Sequence, residues 1–242
     1  MSIILYQFPI SHFCEKVRWA LDYKGLPWRA ENLLPGFHTR TTRKLARRSS
    51  VPVLCLDGEC VQGSAEILSW LDERFPERPL TPSDPVLREQ ALEWERRLDQ
   101  DLGVHVRRFA YHTLLDHPQV VRPFFAHQGR WWWRPFLWVV FPKLAGLMRK
   151  YMSINEQGAA ESQACIEQLL SELDHHYRQQ PFLVGDQFSR ADLAAAALMG
   201  PMVMPVKYGL PWPSRMPDPL QQWADGQSTQ MDWARRLYRD YR

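Results

Sequence analysis

Three residues that can do chemistry lie close together near the start of the chain: Ser11, His12 and Cys14. They follow an apolar run at residues 3–7, which predicts a buried strand, and they open a segment of helical apolar spacing at 14–24. A hydroxyl, an imidazole and a thiol are therefore expected at the N-terminus of a helix. Free N–H groups and the helix dipole favour an anion there, so the stretch suggests either a helix cap or thiol chemistry.

Each of the three residues has a structural and a chemical interpretation. Ser11 can cap the helix through its hydroxyl, or the hydroxyl can hold the thiolate of a substrate. Cys14 can be a nucleophile whose pKa is lowered in the first helical turn, or a small buried residue that packs the helix. His12 can donate to a thiolate or contact a second substrate, or it can be an exposed first-turn residue. The spacing alone leaves all of these open.

The elements that must position these residues are predicted from the segment that follows. Residues 26–34 predict a second strand. The stretch "VPVLCLDGECVQG" holds two short apolar runs around Asp57-Gly58, a dipeptide typical of a two-residue hairpin turn. Helical spacing begins after Ser64 and stops at Pro76. The predicted order is therefore β-α-β, then a β-hairpin, then a helix.

The rest of the chain predicts helices. Residues 76–85 contain four prolines, which indicates a boundary. Beyond it, apolar residues recur at spacings of three and four within 87–102 and 165–177, and residues 191–199 are apolar almost all round. The fold class is therefore α/β plus all-α, with a buried central helix in the second part.

Composition excludes several classes of protein. The chain has 242 residues, of which 45% are hydrophobic, so it can bury a sizeable core and is not disordered. A net charge of +3 is too small to predict nucleic-acid binding. The sequence has no run of 18 or more apolar residues, so no membrane span is predicted. The stretch "MSIILYQFP" lacks the pattern of a signal peptide.

Four cysteines in a chain of this length do not predict a disulfide framework. We therefore expect reduced thiols and a cytoplasmic protein. Cys55 and Cys60 face each other if Asp57-Gly58 forms the turn, and both are expected to pack within the sheet. Cys165 is expected in the core of the helical part. No spacing matches a zinc site, so no metal is predicted.

Four motifs in the expected order resemble the glutathione transferase family. They are S-x-x-C at the first helix of a β-α-β-β-α unit, "VPVL", "QGSAEILSWL" and "FLVGDQFSRADLAAAAL". In the last motif, Ser189 and Asp192 have the spacing of a capping box, in which each residue accepts from the other's backbone N–H. The resemblance covers approximately residues 3–80 and 160–200.

The resemblance implies a thioredoxin-like glutathione-binding domain at 1–78, a linker at 79–86 and an all-α domain with a hydrophobic substrate pocket at 87–242. It also implies a homodimer that acts on a small hydrophobic electrophile, as in detoxification. Tyr111 and some of Trp131, Trp132 and Trp133, from the aromatic block "GRWWWRPFLWVVFP", are expected in the pocket. The same aromatic residues can equally form core or a dimer interface.

The family's glutathione groove can be carried over residue by residue. Pro52 is then cis, the backbone of Val51 binds the cysteinyl unit, and Ser64 binds the γ-glutamyl end. Gly63 stands where many members have an acidic residue or Gln. His38, or an arginine of "HTRTTRKLARR", is expected at the glycine end of glutathione.

Three functions follow as hypotheses. The first is conjugation of glutathione to a hydrophobic electrophile, with Ser11 stabilising the thiolate. The second is glutathione-dependent thiol transfer or reduction, with Cys14 as the nucleophile. The third is a non-catalytic, transferase-like binding or stress-response protein, because fold does not fix function.

Overall fold

A four-stranded mixed sheet forms the first part of the protein in the computed structural model. The model describes residues 2–242, so Met1, at which the predicted first domain begins, lies outside them. The strands are β1 (Ile3–Gln7), β2 (Trp28–Asn32), β3 (Val53–Leu56) and β4 (Glu59–Gln62), and the helices of this part are α1 (His12–Tyr23), α2 (His38–Leu45) and α3 (Ser64–Arg74). The sheet order is β2-β1-β3-β4; β1 and β2 are parallel, and the other two pairs are antiparallel.

The end of α1 sets the path of the chain into β2. Gly25 has a φ of +67°, the left-handed conformation that glycine adopts without steric cost. The Gly25 N–H donates to the Asp22 carbonyl, and the Leu26 N–H donates to the Leu21 carbonyl, each at 3.0 Å. This is a Schellman motif. It stops the helix where the sequence predicts and turns the chain back alongside β1.

The predicted hairpin is confirmed, and it contains a disulfide. Asp57 and Gly58 both have positive φ, as a type I′ turn requires. Strands β3 and β4 therefore pair with Cys55 opposite Cys60, and the two sulfur atoms are bonded. The prediction that these thiols are reduced is wrong for this pair, because direct cross-strand pairing brings their Cα atoms within 4.1 Å.

Two cysteines remain free thiols. Cys14 is buried in α1, whereas Cys165 is only half-buried. The Cys165 sulfur lies 3.6 Å from the carbonyl oxygen of Asp101 at the edge of the helical part. Cys165 packs against the hydrophobic core without being enclosed in it, so the expectation of a core residue is correct for its packing and wrong for its burial.

Helices make up the remainder of the chain, so the predicted fold class is confirmed. They are α4 (Pro85–Arg97), α5 (Val104–Leu114), α6 (Pro118–Phe125), α7 (Trp133–Tyr151), α8 (Glu156–Gln179), α9 (Arg190–Val203), α10 (Leu220–Gly226) and α11 (Asp232–Tyr241). A π-helical stretch, Leu98–Gly103, joins α4 to α5. Within residues 2–242, none of the helices combines the length and the apolar character needed to span a bilayer.

Helix α9 lies at the centre of the helical part and is buried almost all round. A capping box starts it: the Ser189 N–H donates to Asp192 Oδ2 at 3.0 Å. The other carboxylate oxygen of Asp192 accepts from the Leu183 N–H at 2.8 Å and from the Tyr177 hydroxyl at 2.9 Å. One side chain therefore joins α8, the loop before α9, and α9 itself.

A buried network of four charged residues joins the sheet part to the helical part. Lys16 Nζ on α1 lies 2.9 Å from Glu95 and 2.6 Å from Asp99. Arg190 on α9 lies 2.6 Å from Glu95 and donates to the carbonyl oxygen of Ala65 on α3 at 2.9 Å. These contacts fix α1 against α4 and α9, and thereby fix the position of the residues at its N-terminus.

Candidate functional site

A cavity of about 430 Å³ lies between the start of α1, the loop before α2, and helices α5, α6 and α7. Its walls are mostly apolar. The apolar lining includes Val106, Leu114, Phe125 and Met148, and the polar lining includes Ser11, His12, His38, Arg107, Tyr111 and Tyr151. A few polar groups set in an apolar concave surface are typical of a small-molecule site.

Ser11 combines the two interpretations that the sequence left open. It is the N-cap of α1, and its Oγ accepts from the Cys14 N–H at 3.3 Å. The side chain is half-buried and lines the cavity. The cap uses an acceptor lone pair of the hydroxyl, so the hydroxyl can still act as a donor, either to the Cys14 thiol behind it or to a group in the cavity.

His12 is buried, so the interpretation of an exposed first-turn residue is wrong. It is 4% exposed and lines the cavity. Burial, with a smaller effect from the Arg107 charge, lowers its pKa to about 3. Its Nε2 atom is buried without a hydrogen-bond partner. The imidazole is therefore neutral near pH 7, and one of its nitrogens stays available.

Cys14 lies beneath Ser11, away from the cavity. It is 0% exposed and is not part of the cavity lining. Burial raises the pKa of its thiol, and the hydrogen bond with Ser11 only partly opposes this. The residue therefore has the environment of a packed core thiol, not the exposed, electropositive one of a reactive cysteine.

The residues carried over for glutathione lie next to one another around the start of β3. Val51 lines the cavity, and the Val51–Pro52 peptide bond is cis. The Gly63 N–H donates to the Pro52 carbonyl at 3.1 Å, so the start of α3 is held beside the cis bond. Ser64 is buried as the first residue of α3, where Gly63 rather than Ser64 occupies the cap position. Pro52, Gly63 and Ser64 are not in the cavity lining itself.

Gly63 leaves space that neighbouring charged side chains fill. Its φ is +105°, and a β-carbon at this position would collide with the Glu66 carboxylate and approach the Arg48 guanidinium. Arg48 and Glu66 form an ion pair at 3.0 Å. The Gln62 side chain donates to the carbonyl oxygens of Arg48 and Ser50 at 2.8 and 2.7 Å, and so holds the loop before Val51.

His38 lines the cavity at the start of α2, whereas the basic residues after it do not. Burial lowers the pKa of His38, and its Nδ1 atom is buried without a partner. Arg40, Arg43, Lys44 and Arg47 are exposed on the outer surface, and Arg47 lies beyond the end of α2. Of this segment, His38 is therefore the side chain placed to contact a ligand.

The predicted substrate-pocket residues are only partly correct. Tyr111 lines the cavity, and burial raises the pKa of its hydroxyl. Trp131 is 84% exposed and Trp132 is 38% exposed, and neither lines the cavity. The reason is the orientation of α7, which buries Trp133 instead and turns the preceding residues outward.

Arg107 is a charged cavity residue that sequence reasoning missed. It stands four positions before Tyr111 on α5, so both side chains lie on one helical face. That spacing was readable from the sequence, but nothing local marks this face as the cavity wall.

Among residues 2–242, no group of three or more His, Cys, Asp or Glu side chains is arranged to hold a metal ion.

Two family models match the chain. One, described as glutathione S-transferase, N-terminal domain, matches residues 5–79. The other, described as glutathione S-transferase, C-terminal domain, matches residues 136–224. They occur in the order of the two structural parts and together cover about two thirds of the chain.

The chain belongs to the glutathione S-transferase family.

Two named relatives match part of the chain. A "Stringent starvation protein A homolog" from Haemophilus ducreyi is 34% identical over 89 residues, which is 37% of this chain and 42% of the relative. "Glutathione S-transferase 1" from Dianthus caryophyllus is 38% identical over 94 residues, which is 38% of this chain and 42% of the relative. The match thus spans 42% of the length of each of these curated relatives.

The solved transferases share the fold over the whole chain. A glutathione S-transferase from Methylobacterium radiotolerans, in complex with glutathione sulfonate, has a TM-score of 0.64 and 22% sequence identity. The alignment covers 100% of this chain and 94% of that protein. At this level of identity the similarity shows the transferase fold alone.

Proposed function

We propose that this protein is a glutathione transferase that joins the sulfur of glutathione to a hydrophobic electrophile, with Ser11 stabilising the thiolate. One observation carries the proposal: Ser11 stands at the N-terminus of α1 with its hydroxyl on an apolar cavity of about 430 Å³. The family membership gives the identity of the thiol. The cavity gives the second substrate a place beside it.

Ser11 acts on the thiol without leaving its structural role. A thiol is a weak nucleophile until it ionises, and its ordinary pKa is about 8.5. The Ser11 hydroxyl donates a hydrogen bond to the thiolate, and the dipole of α1 favours the negative charge. Both effects lower the pKa of the bound thiol. The thiolate then attacks the electrophilic carbon, the carbon–sulfur bond forms, and the leaving group departs with its electron pair.

Around Ser11, we propose that glutathione binds along the residues that the family resemblance assigns. The Val51 backbone binds the cysteinyl unit, and Ser64 with the N-terminus of α3 binds the γ-glutamyl carboxylate. His38 donates a hydrogen bond to the glycine carboxylate; it is neutral, so it supplies no charge. The glutathione sulfonate bound by the Methylobacterium radiotolerans transferase is consistent with a ligand of this chemistry.

The burial of Cys14 argues against the thiol-transfer hypothesis. A nucleophile for a mixed disulfide must reach the second sulfur as a thiolate. Cys14 is 0% exposed, and burial raises its thiol pKa. We therefore propose that Cys14 packs α1 against its neighbours and takes no part in the reaction.

The family also leads us to propose the arrangement of the whole protein. Residues 1–78 form the glutathione-binding domain, 79–86 the linker and 87–242 the domain that holds the electrophile. We propose a cytoplasmic homodimer. Sedimentation equilibrium of the purified protein tests the dimer, and a monomer at micromolar concentration contradicts it.

A second candidate function comes from the Gly63 region. The space where many family members carry an acidic or amide side chain is filled here by Glu66 and Arg48. In addition, one relative is named for stringent starvation. If purified protein passes through immobilised glutathione and shows no heat on titration with millimolar glutathione, the non-catalytic, stress-response alternative is favoured over the transferase.

Ser11→Ala tests the catalytic assignment. Loss of a hydrogen bond to a charged group costs about 1.5–3 kcal/mol, or roughly a ten- to a hundredfold loss of rate. We expect conjugation to 1-chloro-2,4-dinitrobenzene to slow by this factor at neutral pH. The pKa of bound glutathione, followed by the thiolate absorbance across pH 6–9, should rise.

Cys14→Ser is the matched control, because it changes the neighbouring sulfur and leaves the Ser11 hydroxyl in place. It should keep conjugation within about threefold of wild type, since it removes no bond to the substrate. Reduction of a glutathione mixed disulfide is run in parallel on both variants. If Cys14→Ser abolishes that reduction while Ser11→Ala barely changes it, the two roles are reversed and the assignment is wrong.

A further inference from the structure

The helical wall of the cavity holds an arginine with no partner. Arg107 lines the cavity, and its Nε atom is buried without a hydrogen-bond acceptor. Across residues 2–242, no carboxylate lies within ion-pair distance of its guanidinium. Its neighbour Arg108, by contrast, donates to the carbonyl oxygen of Met152 at 3.2 Å and lies outside the cavity lining. The protein therefore places one guanidinium at the cavity, with its Nε atom buried without an acceptor and its charge without a carboxylate.

The groups around Arg107 do not neutralise it. Burial lowers its pKa, but arginine starts so high that it stays protonated at any physiological pH. Tyr111 is the next polar side chain on the same face of α5, and burial raises its pKa, so its hydroxyl stays neutral. His12, on α1, is neutral as well. The cavity therefore carries a fixed positive charge between apolar walls.

This charge discriminates between two kinds of electrophile. A neutral apolar molecule that fills the cavity removes the remaining water from the guanidinium and offers it no partner, which is unfavourable. A molecule with a carboxylate supplies the missing partner, because the planar fork of arginine matches a carboxylate in two parallel hydrogen bonds. The apolar lining still requires that the rest of the molecule be hydrophobic.

We propose that Arg107 binds the carboxylate of the second substrate, so that this protein acts on hydrophobic electrophiles that carry an acid group. The proposal rests on the proposed transferase function. It assigns Arg107 to substrate specificity, with Ser11 holding the attacking sulfur in the same cavity. The same guanidinium chemistry could instead serve the glycine carboxylate of glutathione, and the experiment separates these two sources.

The test compares 4-chloro-3,5-dinitrobenzoate with its methyl ester, which masks the charge on the same ring. In both, the glutathione thiolate attacks the carbon that bears chlorine, a carbon–sulfur bond forms, and chloride leaves with the bonding electrons. The thiol proton passes to solvent. We expect wild type to have the higher kcat/KM for the acid, corrected for the uncatalysed rate of each compound.

Arg107→Gln should reverse that preference. We expect kcat/KM for the acid to fall roughly ten- to a hundredfold through KM, while the ester stays within about threefold. Arg107→Lys keeps the charge but loses the planar fork of the guanidinium. Its kcat/KM for the acid should lie between the values of wild type and Arg107→Gln. Arg108→Gln, one residue away on α5, is the matched control and should keep the preference of wild type. Circular dichroism verifies that each variant is folded.

Three results overturn the proposal. If Arg107→Gln lowers kcat/KM equally for the acid and the ester, Arg107 does not bind the carboxylate of the second substrate. A rise in the KM for glutathione with both compounds means that Arg107 binds glutathione instead. If the protein conjugates neither compound, equilibrium binding of the acid and the ester to the Ser11→Ala variant decides. Equal binding of acid and ester excludes the carboxylate site. Tighter binding of the acid that is lost in Ser11→Ala/Arg107→Gln supports the site, although the transferase function has failed.

Discussion

Three neighbouring side chains at the start of α1 have three different environments. The Ser11 hydroxyl lies on the cavity, the His12 imidazole is buried at its wall, and the Cys14 thiol is sealed beneath it. Their burial differs over the first turn of α1: Ser11 is half-buried at the cap position, whereas His12 and Cys14 are buried. Burial lowers the pKa of His12 and raises that of Cys14, so both side chains are uncharged near pH 7, and the Ser11 hydroxyl lies at the helix cap on the cavity, where it can donate to a thiolate.

His12 gives a pH-dependent test at this scale. Its pKa is about 3 in the folded protein against 6.5 when exposed, so the unfolded chain binds the proton first as pH falls. Stability from this residue is present above pH 6.5 and is lost progressively as pH falls towards 3. His12→Asn removes the titration. When the pH is lowered from 7 to 4.5, the thermal midpoint of the His12→Asn variant should therefore fall less than that of wild type.

The control for His12 is His175, an exposed histidine on α8. His175→Asn makes the same substitution on the surface, and its thermal midpoint at pH 7 should match that of wild type. Parallel curves for wild type and His12→Asn over the same range would mean that His12 is protonated or accessible in the folded state. The assignment of a neutral imidazole in the cavity wall would then be wrong.

At the scale of elements, hydrogen bonds between residues a few positions apart begin and end the helices. A buried capping residue can also satisfy donors from neighbouring elements. The Asp192 carboxylate accepts from the Ser189 and Leu183 N–H groups and from the Tyr177 hydroxyl. The Ser189 hydroxyl donates to the carboxylate as well, so four donors, most of them buried, lose this partner when the carboxylate is removed. An unsatisfied buried group costs about 1–3 kcal/mol, so this cap is worth more than the usual value near 1 kcal/mol.

Asp192→Ala should therefore destabilise the protein by about 2–4 kcal/mol, measured as a shift in the urea midpoint. Asp84→Ala is the matched control: Asp84 caps α4 through the N–H groups of Val86 and Leu87 but is exposed. It should cost about 1 kcal/mol or less. Equal losses in the two variants would show that the buried donors find other partners and that Asp192 is an ordinary cap.

For the whole molecule, the network of Lys16, Glu95, Asp99 and Arg190 is a largely buried polar link between the two parts. Burial pushes the pKa of Glu95 up, but Lys16 and Arg190 together hold it below its usual value. The two cations and two carboxylates balance in charge. Removing one member leaves a buried charge without compensation, which is strongly unfavourable.

Arg190→Gln should lower the free energy of unfolding by about 3–5 kcal/mol. Both parts should be affected, because Arg190 also holds α3 through the Ala65 carbonyl. The measurement is urea unfolding followed by tryptophan fluorescence and by circular dichroism. Arg178→Gln, which removes an exposed pair with Asp174 on α8, should leave the urea midpoint close to that of wild type, because water screens an exposed pair. A loss for Arg190→Gln as small as that of the control would contradict the network's role.

The sequence by itself determined what depends on residues a few positions apart. The strand at 3–7, the turn at Asp57-Gly58, the end of α1 at Gly25 and the Ser189–Asp192 spacing all follow from local periodicity, turn chemistry and capping. The order of these elements, with four family motifs, was enough to predict the fold class and the family. Each of these features is encoded within one or two turns of chain, where the physics is local.

Only the tertiary structure decided which side chains share the cavity and which are covered. His12 is buried by residues that lie far along the chain, such as Arg107 and its neighbours on α5, and no local pattern records that contact. The outward position of Trp131 and Trp132 and the isolation of Arg107 depend on how α5 and α7 rotate against their neighbours. Helix rotation is set by the packing of the whole core, so it cannot be deduced from the spacing within a single helix.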